Sequence, residues 1–503
     1  MEQFVTGFLT SLSTQFYISQ VIAIVLLAAY GLLIMMLIRG KKLSLLDYML
    51  AYPLSLMVYA LTGYFILSVG IKYCAISQLV GMLAVALIVF LAFKDNLKSL
   101  KPNKAMCIYV IASVIIAIIC TSGIIPVSVS NDSMYFFSEY PRALVNYGYL
   151  NHHLDNFLTD ASQGVAIIGT IPFMFGFDEI FGLQECLSVN FVALFAYFTF
   201  DYAKEKLSKN ETIIVTAISL LMLVSSMPFV LMSKWLMANT FFMEYMAIIV
   251  CMAYKYASDV NRANLVILSV FLTGLSIMRM EGALNAGVLV LCIMMLGYDS
   301  NAEKGYKNKD VAFFLVCPML ILQALYLFRI FVLITLQTGI QFMTKGKAVI
   351  LIGFLIAVII FALFIKDKMF TKLWKYYPWL LIAGLVLVNA AVFLYDRGDY
   401  ITNMKAYILN VIGASGWGLF ASFVIGVLIL VPKKSIKINY FDFSVICYCL
   451  LTIVAGWARG DNLWVSFGDS GNRILIQVVP MMIFALIVKV IEGLEYWKKE
   501  SSN

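Results

Sequence analysis

Two carboxylates lie in an aromatic-rich polar stretch that follows a long apolar run. Asp132 comes about ten residues beyond the run at 105–123, Glu139 follows seven residues later, and Arg142 stands in the same stretch. A carboxylate held among aromatic rings can act as a general base toward a hydroxyl group. Seven residues make about two helical turns, so both acids could share one helix face. The alternative is structural, because aspartate commonly caps the N-terminus of a helix.

Five more charged residues lie inside or at the ends of apolar segments. They are Lys234, Glu244, Arg279, Glu281 and Arg473. Inside a membrane such a residue costs roughly 2.5–3.5 kcal/mol and is usually paired or functional. Cations near a membrane surface can hold a lipid phosphate. The alternative is again structural: Lys234 and Arg473 would extend to the membrane surface, and Arg279 would form an ion pair with Glu281.

The composition shows that a membrane surrounds these residues. Of the 503 residues, 62% are hydrophobic and only 13% are charged. Ordinary globular proteins carry about a quarter charged residues, and a folded soluble protein needs a polar surface. The composition therefore excludes a soluble enzyme, a disordered chain and a nucleic-acid-binding protein.

Apolar runs long enough to span a bilayer recur along the whole chain. They lie near 17–38, 44–68, 76–93, 105–123, 180–202, 212–231, 238–256, 264–278, 283–298, 311–330, 348–365, 377–395, 406–431, 440–457 and 473–491. Lipid cannot satisfy exposed backbone groups, and no run alternates like a barrel strand. The sequence therefore predicts an all-α polytopic membrane protein with about 13–15 transmembrane helices.

Lysine and arginine are concentrated in alternate connecting loops. Most of the 36 such residues fall in one set of loops, beginning with Arg39 and ending with Lys499. The positive-inside rule places these loops in the cytoplasm, the N-terminus outside and the C-terminus inside. The chain would then consist of N-terminal helices over 1–104, a central module over 105–300 and C-terminal helices over 301–503.

Two long stretches then lie on the external side, at 123–179 and 457–473. Within the first, 161–175 is apolar but too short to span, and Pro172 interrupts it. We expect this segment to form an interfacial or re-entrant helix. The two histidines, at 152 and 153, are adjacent and point apart on a helix, so the sequence indicates no metal site.

Three of these features occur in a recognisable order. Asp132 begins an aromatic segment that ends in the sequence Asn-Tyr-Gly-Tyr-Leu at 146–150. An apolar stretch with a central proline follows from Gly164 to Gly176. Arg473 then opens a late apolar run in which Pro480 stands seven residues later.

In order and topology, the sequence resembles the GT-C superfamily of membrane glycosyltransferases, which includes protein O-mannosyltransferases and aminoarabinose transferases. The hairpin at 279–282 and Glu244 also have counterparts in many members. The resemblance is clearest over residues 105–300. Two features differ from the better-known members: Asp132 follows the fourth apolar run instead of the first, and a single acid stands where several members carry a pair.

The resemblance implies a transferase that uses a polyprenyl-phosphate-linked sugar on the outer face of the cytoplasmic membrane. Asp132, with Glu139 as a second candidate, would deprotonate an acceptor hydroxyl of a glycan, glycolipid or protein. Arg473, with Arg279 or Lys234, would stabilise the departing lipid phosphate. No cofactor is expected beyond the donor, and the soluble phosphate-binding motifs are absent from the sequence.

Two other classes stay open at this point. A polysaccharide polymerase or ligase would use similar lipid-linked substrates but should carry many external arginines, and this chain has few, among them Arg142, Arg397 and Arg459. A flippase or transporter should show two similar halves with broken helices. The long loop at 123–179 has no counterpart in the second half of the chain.

Overall fold

The computed structural model describes most of the chain. The described ranges are 15–40, 43–99, 104–122, 139–150, 163–175, 181–226, 229–230, 233, 237–279, 281–297, 304–334, 344–364, 376–413, 438–458 and 474–501. Within these ranges the secondary structure is helical, apart from one isolated bridge between Gly297 and Tyr306.

Eighteen helices are used below, numbered along the described chain. They are α1 Gln15–Arg39, α2 Leu45–Val69, α3 Ala75–Ala92, α4 Lys104–Thr121, α5 Tyr140–Tyr147, α6 Gln163–Ile168, α7 Thr170–Phe175, α8 Phe181–Ala203, α9 Lys209–Ser225, α10 Ala238–Tyr256, α11 Arg262–Met278, α12 Gly282–Ile293, α13 Asn308–Leu333, α14 Lys345–Phe364, α15 Tyr377–Tyr395, α16 Arg397–Gly413, α17 Tyr440–Ala458 and α18 Ile474–Ser501. Short 3-10 turns follow α3 at Lys94–Ser99 and α12 at Met294–Leu296.

The long apolar helices confirm a multi-pass all-α membrane protein. Ten of the described helices are long and apolar enough to cross a membrane. They are α1, α2, α3, α4, α8, α13, α14, α15, α17 and α18. Their sequences form helices because a chain in hydrocarbon must satisfy its own backbone hydrogen bonds, and a helix does so within one segment.

Two helices form the centre of the bundle. Helix α2 packs against α1, α3, α6, α8, α11 and α13, whereas α10 packs against α8, α11, α12, α17 and α18. Small residues permit the close contacts: Gly31 lies directly on the backbone of Ala51, and Gly274 lies on the side chain of Met57. Membrane helices approach closely where a side chain is missing, because the contact is driven by packing and not by the hydrophobic effect.

Ion pairs gather the basic loops at one end of the bundle, which we call the basic end. The pairs are Arg39–Asp47 at 3.0 Å, Lys255–Asp201 at 2.5 Å, Lys489–Asp442 at 2.7 Å, Lys206–Glu495 at 3.4 Å and Lys498–Glu211. Every one joins residues in or beside loops that the sequence placed on a single side of the membrane. The basic loops that these pairs join therefore lie at one end of the described bundle.

The apolar segment before α8 folds as two short helices, α6 and α7, inside the bundle. Helix α6 packs on α2 and α11, and its Gly164 allows an approach to the backbone of Ile277. The Thr170 hydroxyl lies 3.0 Å from the Tyr59 hydroxyl and 2.6 Å from the Tyr73 hydroxyl. Because these contacts are buried, the segment packs within the protein and not on its surface, which favours the re-entrant alternative.

The contact between α1 and α2 gives a test of the packing. Replacing Gly31 with valine would place side-chain atoms onto the Ala51 carbonyl group. Overpacking of this kind costs about 1–3 kcal/mol, so we expect a lower thermal midpoint for the purified protein in detergent. Gly384→Val is the matched control, because nothing lies within 4 Å of a Cβ at that position. Equal midpoints for the two variants would contradict the helix contact.

Candidate functional site

The turn between α11 and α12 carries the first predicted pair. Arg279 ends α11 in extended backbone, and Glu281 precedes the first residue of α12. The Arg279 Nε–H donates to Glu281 Oε1 at 2.5 Å, and both side chains are nearly buried. Gly282 is required in this turn because a Cβ there would lie 2.5 Å from the Leu275 carbonyl oxygen. The ion pair that the structural alternative predicted for these two residues is therefore present.

Arg279 is also the start of a buried polar network that joins four helices. Its Nη1 donates to Asn239 Oδ1 on α10. The same oxygen accepts a hydrogen bond of 2.8 Å from Gln477 Nε2 on α18. The Tyr448 hydroxyl on α17 donates to Gln477 Oε1 at 2.6 Å. We call Asn239, Arg279, Glu281, Tyr448 and Gln477 the polar cluster.

The polar cluster fixes the first turn of α18. Gln477 is completely buried, and the Tyr448 hydroxyl also lies 3.2 Å from the carbonyl oxygen of Ile474. Arg473, which precedes Ile474 in the sequence, lies outside the described residues. The network thus links Arg279, through Asn239, Gln477 and Tyr448, to the backbone of Ile474.

A buried carboxyl group lies deeper in the same region. Glu244 follows Asn239 by five residues on α10, or about 7.5 Å along a helix axis. It is completely buried, and its Oε1 accepts a 2.6 Å hydrogen bond from the Ser188 hydroxyl on α8. Its Oε2 has no hydrogen-bond partner among the described residues. A buried polar atom without a partner is rare and costly, so this oxygen is available to a ligand or a water molecule.

The described part of the aromatic stretch, residues 139–150, packs beside α6 and α7. Glu139 is exposed and immediately precedes α5. Helix α5 packs on α7, where the Arg142 guanidinium lies 5.5 Å from the centre of the Phe173 ring. The helix ends at Gly148, whose carbonyl oxygen accepts a 2.5 Å hydrogen bond from the backbone N–H of Tyr73. Arg142 is thus exposed on a helix that packs on α7 and is hydrogen-bonded at its C-terminal end.

The structure brings only part of the predicted site together. Asp132, Lys234 and Arg473 lie outside the described residues, and their roles stay predictions. Sequence reasoning missed Asn239, which accepts from Arg279, and Gln477, which donates to Asn239; both are polar side chains within apolar runs. Asn239 and Gln477 could have been found by asking which polar residues stand near the start of an apolar helix.

Comparisons of the chain with protein-family models, with curated proteins and with solved structures find no match. The resemblance to membrane glycosyltransferases therefore remains an expectation from the residues quoted above. Among the described residues, no group of three or more histidine, cysteine, aspartate or glutamate side chains could hold a metal ion.

The polar cluster predicts energetic coupling between α10 and α18. Asn239→Ala removes the acceptor shared by Arg279 and Gln477, and we expect a loss of about 1–3 kcal/mol in stability. Gln477→Ala should add little to that loss, because residues in one hydrogen-bond network are not additive. Thermal midpoints of the single and double variants measure the coupling.

The matched control for this cycle is Asn146→Ala, since Asn146 is exposed on α5. We expect that change to leave the free energy of unfolding within about 0.5 kcal/mol of the parent value. Fully additive effects of Asn239→Ala and Gln477→Ala would show that the two side chains do not interact.

Proposed function

We propose that the protein is a membrane glycosyltransferase that moves a sugar from a polyprenyl-phosphate donor to an acceptor hydroxyl. The observation that carries the proposal is the polar cluster, which joins the start of α18 to the α11–α12 turn. Helix α10 runs from Asn239 in this cluster to Lys255 at the basic end. The cluster therefore lies at the end of the bundle opposite the basic loops. By the positive-inside rule that end faces outward.

The donor phosphate is assigned to Arg473. The Arg279 charge is balanced by Glu281 and shared with Asn239, so Arg279 serves to position the start of α18. Arg473 stands directly before that fixed turn in the sequence. A guanidinium suits this task because it binds phosphate oxygens in a bidentate manner and stays charged. Lys234, shortly before α10, is the second cation proposed for the phosphate.

Asp132 is assigned as the general base. In the proposed reaction the acceptor oxygen attacks the anomeric carbon as its proton passes to Asp132. The bond between that carbon and the phosphate oxygen breaks, and Arg473 stabilises the departing phosphate. Direct displacement inverts the anomeric centre. Glu139 is the second candidate base, and the exposed Arg142 and the buried Glu244 are proposed to contact the sugars.

The position of the cluster favours an enzyme over a transporter. Transporter sites usually lie near the middle of the bilayer, between broken helices of two repeats. Asn239 stands instead in the first turn of α10, and Gln477 near the beginning of α18. A polymerase or ligase of lipid-linked glycans would share this chemistry and differ in its acceptor, which is proposed to be a glycan, a glycolipid or a protein.

The proposed base gives the most direct activity test. Asp132→Asn should lower sugar transfer by about 10²–10⁴-fold, because the acceptor hydroxyl loses its proton acceptor. The assay uses purified protein in liposomes, radiolabelled polyprenyl-phosphate hexoses and pentoses, and release of polyprenyl phosphate as the signal. Asp155→Asn, a change in the same loop, is the control and should keep full activity. A fully active Asp132→Asn protein would exclude Asp132 as the base.

The proposed phosphate ligand is tested by donor binding. Arg473→Ala should weaken binding of the same donor about tenfold or more, because a charge-assisted contact is lost. The apparent affinity for the acceptor should stay the same. Arg459→Ala, another arginine of the predicted outer face, is the matched control. Equal donor affinity for both variants would remove Arg473 from the donor site.

A further inference from the structure

A cavity lies at the basic end, away from the polar cluster. It opens between the ends of α8 and α10, the segment before α13, and the start of α17, and its volume is about 430 Å³. Its charged lining residues are Asp201, Glu205, Lys255 and Lys304. Cavities of this size commonly hold small ligands or headgroups. None of these residues is used by the proposed transfer reaction.

The rim of the cavity is hydrogen-bonded to α10 next to Lys304. The following residue, Gly305, has a φ of +93° and donates its N–H to the Ala257 carbonyl oxygen at 2.8 Å. Next to it, Tyr306 is almost completely buried and donates its hydroxyl to the Ala253 carbonyl oxygen at 2.7 Å. Two hydrogen bonds from the residues that follow Lys304 thus tie the segment to the end of α10. Little ordering is needed when a ligand binds, which favours affinity.

The charges around the cavity leave cationic groups available. Asp201 is held by two ammonium groups, Lys204 at 2.6 Å and Lys255 at 2.5 Å. An ammonium group has three donors, so Lys255 retains further N–H groups toward the cavity. The Lys304 side chain has no ion-pair or hydrogen-bond partner in the described part of the chain, and the exposed Glu205 stands at the rim. Two lysines and two carboxylates therefore line the cavity, and the Lys304 side chain is the cation that has no partner among the described residues.

The remaining wall is aromatic. The Tyr254 ring is 39% exposed and lies 4.9 Å from the Phe441 ring and 5.6 Å from the Tyr202 ring, between centres. An exposed aromatic surface beside ammonium groups suits a ligand with a charged head and an apolar part. Tyrosine is enriched at membrane interfaces for the same reason.

We propose that this cavity binds the phosphate-bearing headgroup of an anionic membrane phospholipid. Lys255 and Lys304 bind the phosphate, and Tyr254 with Phe441 contacts the glycerol and the first acyl carbons. The apolar wall and the position at the ends of membrane helices favour a lipid over a soluble phosphate compound. Basic pockets between helices on the cytoplasmic side are where anionic headgroups bind. This inference is independent of the proposed transferase activity.

Lipid binding to the full-length protein tests the proposal. Native mass spectrometry in detergent follows the titration with phosphatidylglycerol, and with phosphatidylcholine for comparison. Lys304→Gln should weaken phosphatidylglycerol binding about tenfold, since one charge-assisted contact is lost. Lys309→Gln is the matched control, because it makes the same charge change in the same segment outside the cavity. It should change the affinity less than about twofold.

A second variant keeps the test independent of protein folding. Tyr254→Ala removes the partly exposed ring and should also weaken phosphatidylglycerol binding, and the thermal midpoint without added lipid measures separately the packing lost against Phe441 and Tyr202. Equal affinities for the Lys304→Gln, Tyr254→Ala and Lys309→Gln proteins would overturn the site. Displacement of phosphatidylglycerol by glycerol 3-phosphate at similar concentrations would overturn the lipid assignment and indicate a soluble phosphate ligand.

Discussion

The pairing of the nearly buried Arg279 guanidinium is the interaction on which the proposed outward-facing end of the bundle depends. A charged side chain enclosed by membrane helices is stable only when its donors are matched. Glu281 supplies the charge and Asn239 supplies a neutral acceptor, and that acceptor also binds Gln477. A pair that closes one turn therefore also sets the position of a distant helix. The start of α18 is held in place because the hydrogen-bond donors of Arg279 need acceptors, and their acceptor Asn239 also binds Gln477.

The two ends of the bundle differ in how their charged side chains are paired. At the basic end, lysines meet carboxylates in several ion pairs, among them Lys255–Asp201 and Lys489–Asp442. At the opposite end, the cluster is compact and largely uncharged beyond one ion pair, and Glu244 keeps one oxygen without a partner among the described residues. Helix α10 joins the two ends. The first end suits contact with anionic headgroups, and the second suits a reaction that moves charge onto a phosphate.

Much of the fold follows from the sequence, and less of the site does. The length and hydropathy of the apolar runs were enough to predict the all-α class and the positions of α1 to α4. In lipid a single segment must satisfy its own backbone hydrogen bonds, and a helix does so. The Arg279–Glu281 pair was predictable from a spacing of two residues. The partners Asn239 and Gln477 were not, since they are 238 residues apart and hydropathy does not say which helix faces meet. The burial of α6 was equally hidden, because it depends on Gly164 fitting against Ile277.

The most direct measurement of the central claim is an experimental structure of the protein with a polyprenyl-phosphate-linked sugar bound. The account predicts the donor phosphate at the end of the bundle that holds the polar cluster, within ion-pair distance of the Arg473 guanidinium. It also predicts that the Asp132 carboxylate faces the anomeric carbon. A donor phosphate bound at the basic end, or Asp132 capping a helix far from Arg473, would contradict the account.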